Sequence, residues 1–505
     1  MQPPRILVIG GGITGLAAAL RVKELLPSAK LELWEAATRL GGVLQTVREG
    51  GFLLELSADN FLTPDAAGLP LANKLGLWDE LLPTNPAQRK ASILYRGVPH
   101  PVPEGFVLMA PNQLGSLLTT PLLSWRGKLR LLAELFIEAR PAGQNDESLE
   151  SFALRRFGRE AYERLIQPLI GGIYTADPTK LSLAATLPRF LEMERQHGSV
   201  LQASLLAWQN SRLQRPLTGR SKANSRGSAR TMNATEEKAD SGARYSQFMA
   251  PRQGMEQLIA AAANSLGQES IQLAKRVTRL VKNPPLAAKL APTAANWQVW
   301  SNPAEPPELF DGVIMTTPAP AAASLVEYVA PELAAELRAI EYAGSSVVIL
   351  GYEQTQFARP LVGFGMVVPR LERRGILAVS YASEKFPGRA PAGMALLRVF
   401  VGGALQPELN DLNDAALVKL ATGELREIYG IQGEPRLVRI ARWQHTMPQY
   451  HLGHLERVAR IEGLAQRLPG FALAGAAYRG VGIPQCIRQG EIAAEKLAAS
   501  FLVAN

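Results

Sequence analysis

The chain has 505 residues, of which 47% are hydrophobic, and it carries 54 basic residues, 45 acidic residues and one cysteine. That length corresponds to about three domains, and a lone cysteine, Cys486, excludes a disulfide framework and a cysteine-built metal site. No apolar run approaches the ~18 residues of a membrane span, and the first apolar run begins too early to leave room for a signal peptide. We therefore expect a cytoplasmic protein, with peripheral contact at the inner face of the cell membrane left open.

The net charge of +9 is concentrated in one segment. Residues 210–245 hold eight basic residues against three acids and are rich in Ser, Arg, Ala and Gly. A segment of this composition buries too little apolar surface to repay the entropy of ordering, and it has no aromatic residue before Tyr245. The composition favours a disordered basic loop at 210–245 and no nucleic-acid partner.

The first stretch of the chain carries its strongest motif. Residues 6–9 form an apolar run typical of a buried parallel strand, and Gly10, Gly12 and Gly15 follow it into a helix-forming run. In such a turn the first glycine permits the bend, the second admits a pyrophosphate, and the third lets helix and strand pack closely. The first turn of the helix offers free N–H groups and positive partial charge to phosphates. The stretch predicts a dinucleotide site.

Two further signals extend this site. Glu35 follows a second strand at the position where an acid holds the ribose hydroxyls. Arg39 and the pair Gly41–Gly42 then let the backbone pass a ligand closely while the guanidinium reaches a phosphate. A strand and a polar turn at residues 57–60 come next. The longer flavin dinucleotide needs this second strip of contacts, so the pattern favours FAD over NAD.

With these motifs in place, the chain resembles the superfamily of FAD-dependent amine oxidases and protoporphyrinogen oxidases, in which Arg-x-Gly-Gly follows the ribose acid. The resemblance implies an α/β fold with a Rossmann-type FAD-binding domain made of residues 1–88, 246–320 and 440–505. It implies a helical domain at 89–209 and a substrate-binding domain with a mixed sheet at 321–439. Within this frame, residues 64–88 are expected to form an amphipathic helix, and residues 89–103 a short hairpin.

The helical domain leaves a choice open. Residues 106–139 are apolar and helix-prone, with Arg126, Lys128 and Arg130 interrupting the apolar run. A buried helical bundle is the commoner fate of such helices, and a face resting on lipid is the alternative. The next motif, Pro168-Leu-Ile-Gly-Gly172-Ile-Tyr174-Thr-Ala-Asp177-Pro, is similar to a signature of protoporphyrinogen oxidases. Its adjacent glycines suggest a place where the backbone meets a large flat ligand, with Tyr174 as a stacking residue or an ordinary core residue.

The end of the chain carries the second strong signal. Residues 471–475 predict a short strand stopped by Gly475, and Gly480-Val-Gly-Ile-Pro predicts a helix opening at Ile483 or Pro484. The sequence is similar to the Gly-Val-Gly-Ile-Pro-x-Cys-Ile ending of protoporphyrinogen oxidases. By that resemblance the helix N-terminus faces the N1–C2 carbonyl edge of the flavin and stabilises negative charge on it. Trp443 belongs to another matching stretch, and a strand at 272–277 is expected to bring Val277 to the adenine.

The resemblance assigns FAD contacts to the glycine turn, the acid, the double-glycine loop, the polar turn and the C-terminal segment. These positions are Gly10, Gly11, Gly12, Ile13, Thr14, Gly15, Glu35, Ala36, Arg39, Gly42, Val43, Ser57, Ala58, Asp59, Asn60, Val277, Trp443, Gly475, Val481, Gly482 and Ile483. Two departures stand out. The family usually has Gly-Pro where this chain has Ser57–Ala58, which suggests another path for that turn. Many superfamily members have Arg or Lys at Val43, which we interpret as a subfamily difference.

Arg89 and Gly172 are the predicted substrate contacts. A porphyrinogen carries propionates, an arginine binds a carboxylate in bidentate fashion, and the resemblance places an arginine at position 89 against such a propionate. A solvated surface arginine is the alternative. His451 and His454 are spaced i, i+3, but no cysteine or carboxylate cluster accompanies them, so we predict no metal site. No catalytic side chain is predicted, because flavin N5 itself accepts the hydride.

The resemblance implies oxygen-dependent oxidation of protoporphyrinogen IX to protoporphyrin IX in heme biosynthesis, in three rounds that yield peroxide. The same reaction on coproporphyrinogen III is the alternative, and its four propionates would need a more basic pocket. Another oxidase or desaturase of an amine or carotenoid is a further enzyme reading. The alternative that is not an enzyme is a flavin-binding carrier or assembly partner without turnover. The sequence leaves a homodimer open and does not identify the electron acceptor.

Overall fold

The computed structural model describes residues 3–64, 67–111, 115–141, 143, 146–213, 247–283 and 296–502. Residues 214–245 of the predicted basic loop therefore lie outside the described residues, while its residues 210–213 belong to a helix.

The described residues contain strands from all three predicted regions of the chain. They are β1 Arg5–Ile9, β2 Lys30–Trp34, β3 Thr46–Glu49, β4 Phe52–Glu55, β5 Phe61–Leu62, β6 Leu81–Pro83, β7 Ser92–Tyr95, β8 Val98–Pro101, β9 Phe106–Val107, β10 Ala110–Pro111, β11 Phe248–Pro251, β12 Ile271–Gln272, β13 Arg279–Lys282, β14 Trp297–Trp300, β15 Glu308–Phe310, β16 Gly312–Met315, β17 Tyr342–Glu353, β18 Gly365–Val367, β19 Ala378–Tyr381, β20 Met394–Gly402, β21 Leu437–Pro448 and β22 Phe471–Leu473.

The α-helices of the described residues are α1 Ile13–Leu25, α2 Gly68–Lys74, α3 Gly115–Thr119, α4 Trp125–Leu132, α5 Leu149–Phe157, α6 Arg159–Ala161, α7 Gln167–Tyr174, α8 Leu183–Thr186, α9 Pro188–His197, α10 Val200–Leu213, α11 Glu256–Leu266, α12 Ala319–Val326, α13 Pro331–Arg338, α14 Ala382–Lys385, α15 Asp414–Tyr429, α16 His454–Gln466 and α17 Ile483–Leu502. Short 3₁₀ segments include Pro86–Gln88, Ala133–Phe136 and Arg370–Glu372, and one π-helical turn covers Tyr162–Ile166.

A five-stranded parallel sheet in the order β12-β2-β1-β16-β22 forms the Rossmann-type core. Both faces of its central strand are buried, as the continuous apolar run predicts. Ile6 and Val8 pack against α1, α11 and α17, while Leu7 and Ile9 pack against α12, α13 and α16. Strands that are distant in the sequence thus meet in one sheet. Because the carboxyl ends of parallel strands share one edge, the glycine turn and the C-terminal segment lie at the same edge.

A seven-stranded mixed sheet in the order β21-β17-β20-β19-β18-β7-β8 forms the second layer. One face packs against α15 through a cluster that includes Val399 and Leu417. At the β17–β20–β21 side, the other face contacts Phe52 and Leu54 of β4, which joins this sheet to the segment carrying the predicted polar turn. A separate apolar core, with Phe152 and Ile170 among its buried members, holds the helices between α3 and α10 together.

Three predictions of local structure are wrong in part. The helix expected over residues 64–88 is confined to α2, because Gly76, with φ +71°, ends it, and β6 follows. The strand expected over 272–277 ends at Gln272. The run from Phe106 begins as the β9–β10 hairpin rather than a helix. The hairpin at 89–103 is confirmed as β7–β8, and the C-terminal helix opens at Ile483 as expected.

Candidate functional site

The glycine turn between β1 and α1 has the shape that a pyrophosphate requires. Gly10 has φ +107°, a conformation that favours glycine. A Cβ on Gly15 would lie 1.9 Å from the carbonyl oxygen of Gly10, so this glycine permits the close packing of helix and strand. A Cβ on Gly12 would meet nothing within 4 Å. Gly12 is also the N-cap of α1 without a side-chain cap, so free N–H groups border open space and the turn fits a dinucleotide phosphate.

Glu35 joins the glycine turn to the next loop. One carboxylate oxygen accepts a hydrogen bond from the N–H of Gly11 at 2.7 Å, and the other accepts one from the N–H of Ala37 at 2.7 Å. Neighbouring Ala36 is half-buried, and Gly10 donates to the carbonyl of Trp34 at 2.8 Å. Each carboxylate oxygen keeps further acceptor capacity. The arrangement fixes the acid at the strand end, where the ribose hydroxyls of the predicted FAD would donate to it.

The loop of Arg39 lies directly on the glycine turn. Gly41 donates to the carbonyl of Gly11 at 2.8 Å, and a Cβ on Gly42 would lie 3.6 Å from Cα of Gly12. The guanidinium of Arg39 donates to the carbonyls of Leu40 at 2.9 Å and Gly42 at 2.6 Å. Arg39 therefore shapes its own loop, and its contact with a phosphate stays a prediction. Exposed Val43 follows this loop.

The polar turn after β4 is held by contacts to two other segments, the double-glycine loop and β21. The Ser57 hydroxyl donates to the carbonyl of Val43 at 2.5 Å, and the indole of Trp443 donates to the carbonyl of Leu56 at 2.7 Å. Ala58 is exposed, and the Asn60 amide donates to Asp59. The turn thus closes on the double-glycine loop through a serine hydroxyl, and a path different from that of the family's Gly-Pro turn stays a prediction.

A buried ion cluster supports this turn. Both carboxylate oxygens of Asp59 accept from Nζ of Lys385, at 3.1 and 3.2 Å, and one lies 3.2 Å from the guanidinium of Arg398. Burial by itself raises the pKa of Asp59, but the charges of Lys385 and Arg398 outweigh that effect and lower the pKa to about 2. Arg398 also donates to the carbonyl of Ser57. Burial lowers the pKa of Lys385, and the charge of Asp59 opposes this effect.

Glu55 has the opposite environment. Burial raises its pKa to about 7, even though it accepts from the N–H of Met255 at 2.8 Å and from the hydroxyl of Thr46 at 2.9 Å. The nearby guanidinium of Arg389 donates only to backbone carbonyls of residues 251 and 252. The ion cluster therefore brings Lys385, Arg389 and Arg398 together with two carboxyl groups, of which Asp59 has a lowered pKa and Glu55 a raised pKa.

The C-terminal segment returns to the same edge. Gly475 has φ +139° after β22. The Tyr450 hydroxyl donates to the carbonyl of Ala476 at 2.6 Å and accepts from the N–H of Gly480 at 2.8 Å. These two bonds fix the path of the chain into Val481, Gly482 and Ile483. A Cβ on Gly490 would lie 2.3 Å from the carbonyl oxygen of Thr14.

That approach packs α17 against α1 backbone to backbone, with Ile13, Thr14 and Ile483 buried in the same part of the structure.

His454 and Val277, which the sequence singled out, both have packing contacts in the protein interior. His454 stacks on Tyr450 with ring centroids 4.0 Å apart, and its Nε2 contacts the carbonyl of Tyr478 at 2.9 Å. Val277 lies outside any strand and is buried with Trp34. Its contact with adenine stays a prediction.

The predicted substrate residues lie beside the seven-stranded sheet. Arg89 is half-buried, and its guanidinium donates to the hydroxyl and carbonyl of Thr84 at 3.3 and 3.5 Å. Among the described residues it has no ion-pair partner. Gly172 is exposed on α7, where a Cβ would lie 3.4 Å from Cγ1 of Val367. Tyr174 donates to the carbonyl of Thr186 at 3.2 Å, as a core tyrosine does.

Sequence reasoning missed Lys385, Arg389 and Arg398. Arg398 stands within the apolar strand β20, and a charge in such a run signals a buried polar contact. No local pattern connects these residues with Asp59, which precedes Lys385 by 326 positions.

The sequence matches the profile of the family described as flavin containing amine oxidoreductase over residues 13–498. It is 32% identical to the coproporphyrinogen III oxidase of Bacillus subtilis (strain 168) over 97% of this chain and 96% of that protein. It is 27% identical to protoporphyrinogen oxidase 2, chloroplastic/mitochondrial, of Arabidopsis thaliana, over 99% of this chain and 94% of that protein.

Solved structures agree in fold. The crystal structure of an Exiguobacterium sp. 255-15 protein, provisionally named a protoporphyrinogen oxidase, has a TM-score of 0.81 at 28% identity and covers 99% of both chains. Cyclohexylamine oxidase of Brevibacterium oxydans, at 16% identity, has a TM-score of 0.66 over 99% of this chain and 100% of that one, which shows the fold alone.

Proposed function

Because the chain belongs to the family of flavin-containing amine oxidoreductases and is an FAD-dependent oxidoreductase, we propose that it oxidises a porphyrinogen to the corresponding porphyrin in heme biosynthesis. Protoporphyrinogen IX and coproporphyrinogen III are the two candidate substrates, as the names of the relatives suggest. Molecular oxygen is the proposed acceptor. Removal of six hydrogens takes three two-electron steps, each of which reduces one oxygen molecule to hydrogen peroxide.

Arg89 is the observation that carries the substrate class. Its guanidinium is half-buried, has only the long contacts to Thr84, and has no anionic partner among the described residues. A partly desolvated guanidinium without a carboxylate calls for an anionic ligand, and its planar fork matches a carboxylate. Arg89 is followed by Lys90. The carbonyl of Lys90 accepts a hydrogen bond from the N–H of Phe364 at 2.8 Å, which joins this segment to the residue before β18. A propionate bound there would anchor a flat macrocycle beside Gly172.

The residues that would hold FAD lie in the glycine turn after β1, the double-glycine loop after Arg39, the polar turn at residues 57–60, and the N-termini of α1 and α17. The bound flavin supplies the hydride-accepting chemistry at N5. The chain itself contributes free N–H groups at Gly12 and the start of α1, which stabilise phosphate charge. The start of α17 carries a positive helix-end charge that would stabilise negative charge on the reduced ring. The glycine at position 172 lets the backbone approach the face of the substrate.

The test is turnover of both porphyrinogens by the purified protein, followed by the fluorescence of the product porphyrin and by hydrogen peroxide. We expect porphyrin and peroxide in a ratio of one to three. Peroxide without porphyrin, or an amine substrate oxidised in preference, would place the chain elsewhere in its family. A protein that carries FAD but turns over neither porphyrinogen would be a carrier.

We further propose that α4 and the 3₁₀ turn after it rest on an anionic membrane surface. Trp125 is 69% exposed, Leu129 lies one turn further along the same helix, and Phe136 is 87% exposed. Exposed Arg126 lies beside this apolar surface and would contact lipid phosphates. In the described parts of the chain every helix is too short or too polar to traverse a bilayer.

Co-sedimentation with vesicles tests this surface. Phosphatidylglycerol vesicles should retain the protein better than phosphatidylcholine vesicles, and Trp125→Ser with Leu129→Ser should abolish retention. Tyr328→Ser is the matched control, because Tyr328 is also 87% exposed but lies between α12 and α13. Equal retention of the double variant and the control would contradict the membrane contact.

A further inference from the structure

The ion cluster at Asp59 has more positive charge than it compensates. Lys385 and Arg398 share the carboxylate of Asp59, and the hydrogen bonds that Arg389 donates within the described residues go to neutral carbonyls. Glu55 is the second carboxyl near Arg389 and Arg398, and burial raises its pKa, so three basic side chains face one carboxylate and one carboxyl of raised pKa. The side chain of Arg398 is only 2% exposed, and its Nε has no hydrogen-bond partner. The Lys385 side chain is 13% exposed, so it reaches the edge of the buried region. A buried cation without full compensation is costly unless a ligand supplies the missing anion.

The cluster lies on the same face of the sheet as the contact of Gly172 with Val367. Arg398 of β20 is directly opposite Ser380 of β19, which is opposite Gly365 of β18. Side chains of opposed residues point to the same face, so these positions form one row across three strands. A second row on this face lies two residues further along and consists of Phe400, Ala378 and Val367.

Val367 is the residue that a Cβ on Gly172 would touch. The guanidinium carbon of Arg398 is 5.3 Å from the ring centroid of Phe400, so this cation borders the second row directly. Three neighbouring strands span about 10 Å from the first to the third. Arg398 and Val367 therefore lie about 10 Å apart across the strands on one sheet face, a separation that a flat macrocycle would span.

The cluster is also connected to Arg89. The carbonyl of Lys385 accepts a hydrogen bond from the N–H of Asn85 at 3.0 Å. Thr84, the residue before Asn85, is the one that contacts the Arg89 guanidinium. Lys385 and Arg89 thus contact two consecutive residues of the chain, Lys385 through its backbone carbonyl and Arg89 through its guanidinium.

We propose that Lys385 and Arg398 form a second carboxylate site of the substrate pocket, separate from Arg89, and that the preferred substrate is a tetracarboxylate of the coproporphyrinogen III class. This inference rests on the proposed function and deepens it. Coproporphyrinogen III carries propionates where protoporphyrinogen IX carries two vinyl groups. A propionate would supply the missing negative charge and an acceptor for the unsatisfied nitrogen of Arg398. A vinyl group would leave both requirements unmet. Asp59 holds the two cations in position and limits their excess charge.

The experiment measures equilibrium binding of two stable product porphyrins, coproporphyrin III and protoporphyrin IX, to the purified holoenzyme by quenching of protein fluorescence. Lys385→Met removes one cation and leaves Asp59 paired with Arg398. We expect it to weaken coproporphyrin III binding about tenfold, which is about 1.4 kcal/mol, and to change protoporphyrin IX binding less than about twofold. Lys74→Met is the matched control, since Lys74 is paired with Glu24 on another part of the protein, and it should change neither.

Asp59→Asn gives a second test of opposite sign, because it removes the anion that competes for the two cations. It should tighten coproporphyrin III binding in the variant that retains FAD. Three results would overturn the inference: equal weakening of both porphyrins in Lys385→Met, unchanged or weaker coproporphyrin III binding in Asp59→Asn, or tighter binding of protoporphyrin IX by the unmodified protein. A lowered flavin reduction potential in Lys385→Met with unchanged porphyrin selectivity would assign the positive charge to the reduced flavin instead, and would also overturn it.

These results are distinguishable from a failure of the proposed function. If the unmodified protein oxidises both porphyrinogens but the variants do not discriminate, the second carboxylate site is refuted and the oxidase activity stands. If it oxidises neither, the proposed function itself fails.

Discussion

Replacing Gly12 with valine should remove FAD while leaving the fold intact. The backbone at Gly12 has φ −72° and ψ 176°, which valine adopts without strain, and a Cβ there would meet no protein atom within 4 Å. The cost to the apoprotein is then limited to a poorer helix N-cap, about 1 kcal/mol. The added side chain would fill the space that the pyrophosphate needs.

The loss of ligand stabilisation is larger than the loss of the cap. A ligand at 100 times its Kd stabilises the folded state by about 2.7 kcal/mol. Denaturation of FAD-free protein with and without added FAD separates the two costs. The unmodified protein should gain this stabilisation, and Gly12→Val should gain none. Its visible flavin absorbance after purification should also be lost.

Gly423→Val is the matched control, because a Cβ at Gly423 in α15 would also meet nothing within 4 Å. It should bind FAD normally. Full flavin content in Gly12→Val, or equal flavin loss in both variants, would refute the assignment of the glycine turn to the pyrophosphate.

Three further predictions concern the substrate, the ion cluster and the basic segment. Arg89→Ala should raise the Michaelis constant for porphyrinogen by the equivalent of about 2–5 kcal/mol in binding with little change in kcat, whereas Lys90→Ala at the exposed neighbour should not. Arg89→Lys should rescue poorly because a point charge lacks the planar fork, and an unchanged Michaelis constant in Arg89→Ala would remove this residue from the site. Burial raises the pKa of Glu55 from 4.5 to about 7. The protonated carboxyl therefore contributes its full stability below the pKa that Glu55 has in the unfolded state, and this contribution is lost as the pH rises through the pKa of the folded state. Glu55→Gln should therefore gain on the order of 1–3 kcal/mol of unfolding free energy relative to the unmodified protein between about pH 5 and 8, and a constant difference across this range in denaturant titrations would contradict the buried-carboxyl account. Replacing residues 214–245 with a Gly-Ser linker should leave flavin content and turnover unchanged, because this composition contributes little to a core, and loss of flavin on deletion would show that the segment is structural.

The parts of the site that could be predicted from the sequence are those made by neighbouring residues. The strand, glycine turn and helix around Gly12 follow each other without interruption, so local propensity and spacing determine them. The same holds for the C-terminal helix that opens at Ile483. The α/β fold class is likewise confirmed.

The remaining features depend on contacts between residues far apart in the sequence, or on backbone dihedral angles that the amino-acid composition does not indicate. Lys385 and Arg398 meet Asp59 only because β20 and α14 fold over the turn after β4. An amphipathic helix is predicted over residues 64–88, but Gly76 at positive φ ends it. Arg39 is predicted to reach a phosphate, and in the structure its guanidinium donates to carbonyls of its own loop, which the spacing did not indicate. Hydrogen-bond partners of long side chains cannot be derived from spacing alone.

The most direct test of flavin-dependent porphyrinogen oxidation is rapid anaerobic mixing of the holoenzyme with each porphyrinogen, followed by the visible absorbance of the flavin. We expect the flavin absorbance to bleach as the porphyrinogen is oxidised, and the admission of oxygen to restore it with release of hydrogen peroxide. Flavin that stays oxidised in the presence of either porphyrinogen, with porphyrin formed no faster than without protein, would contradict the central claim.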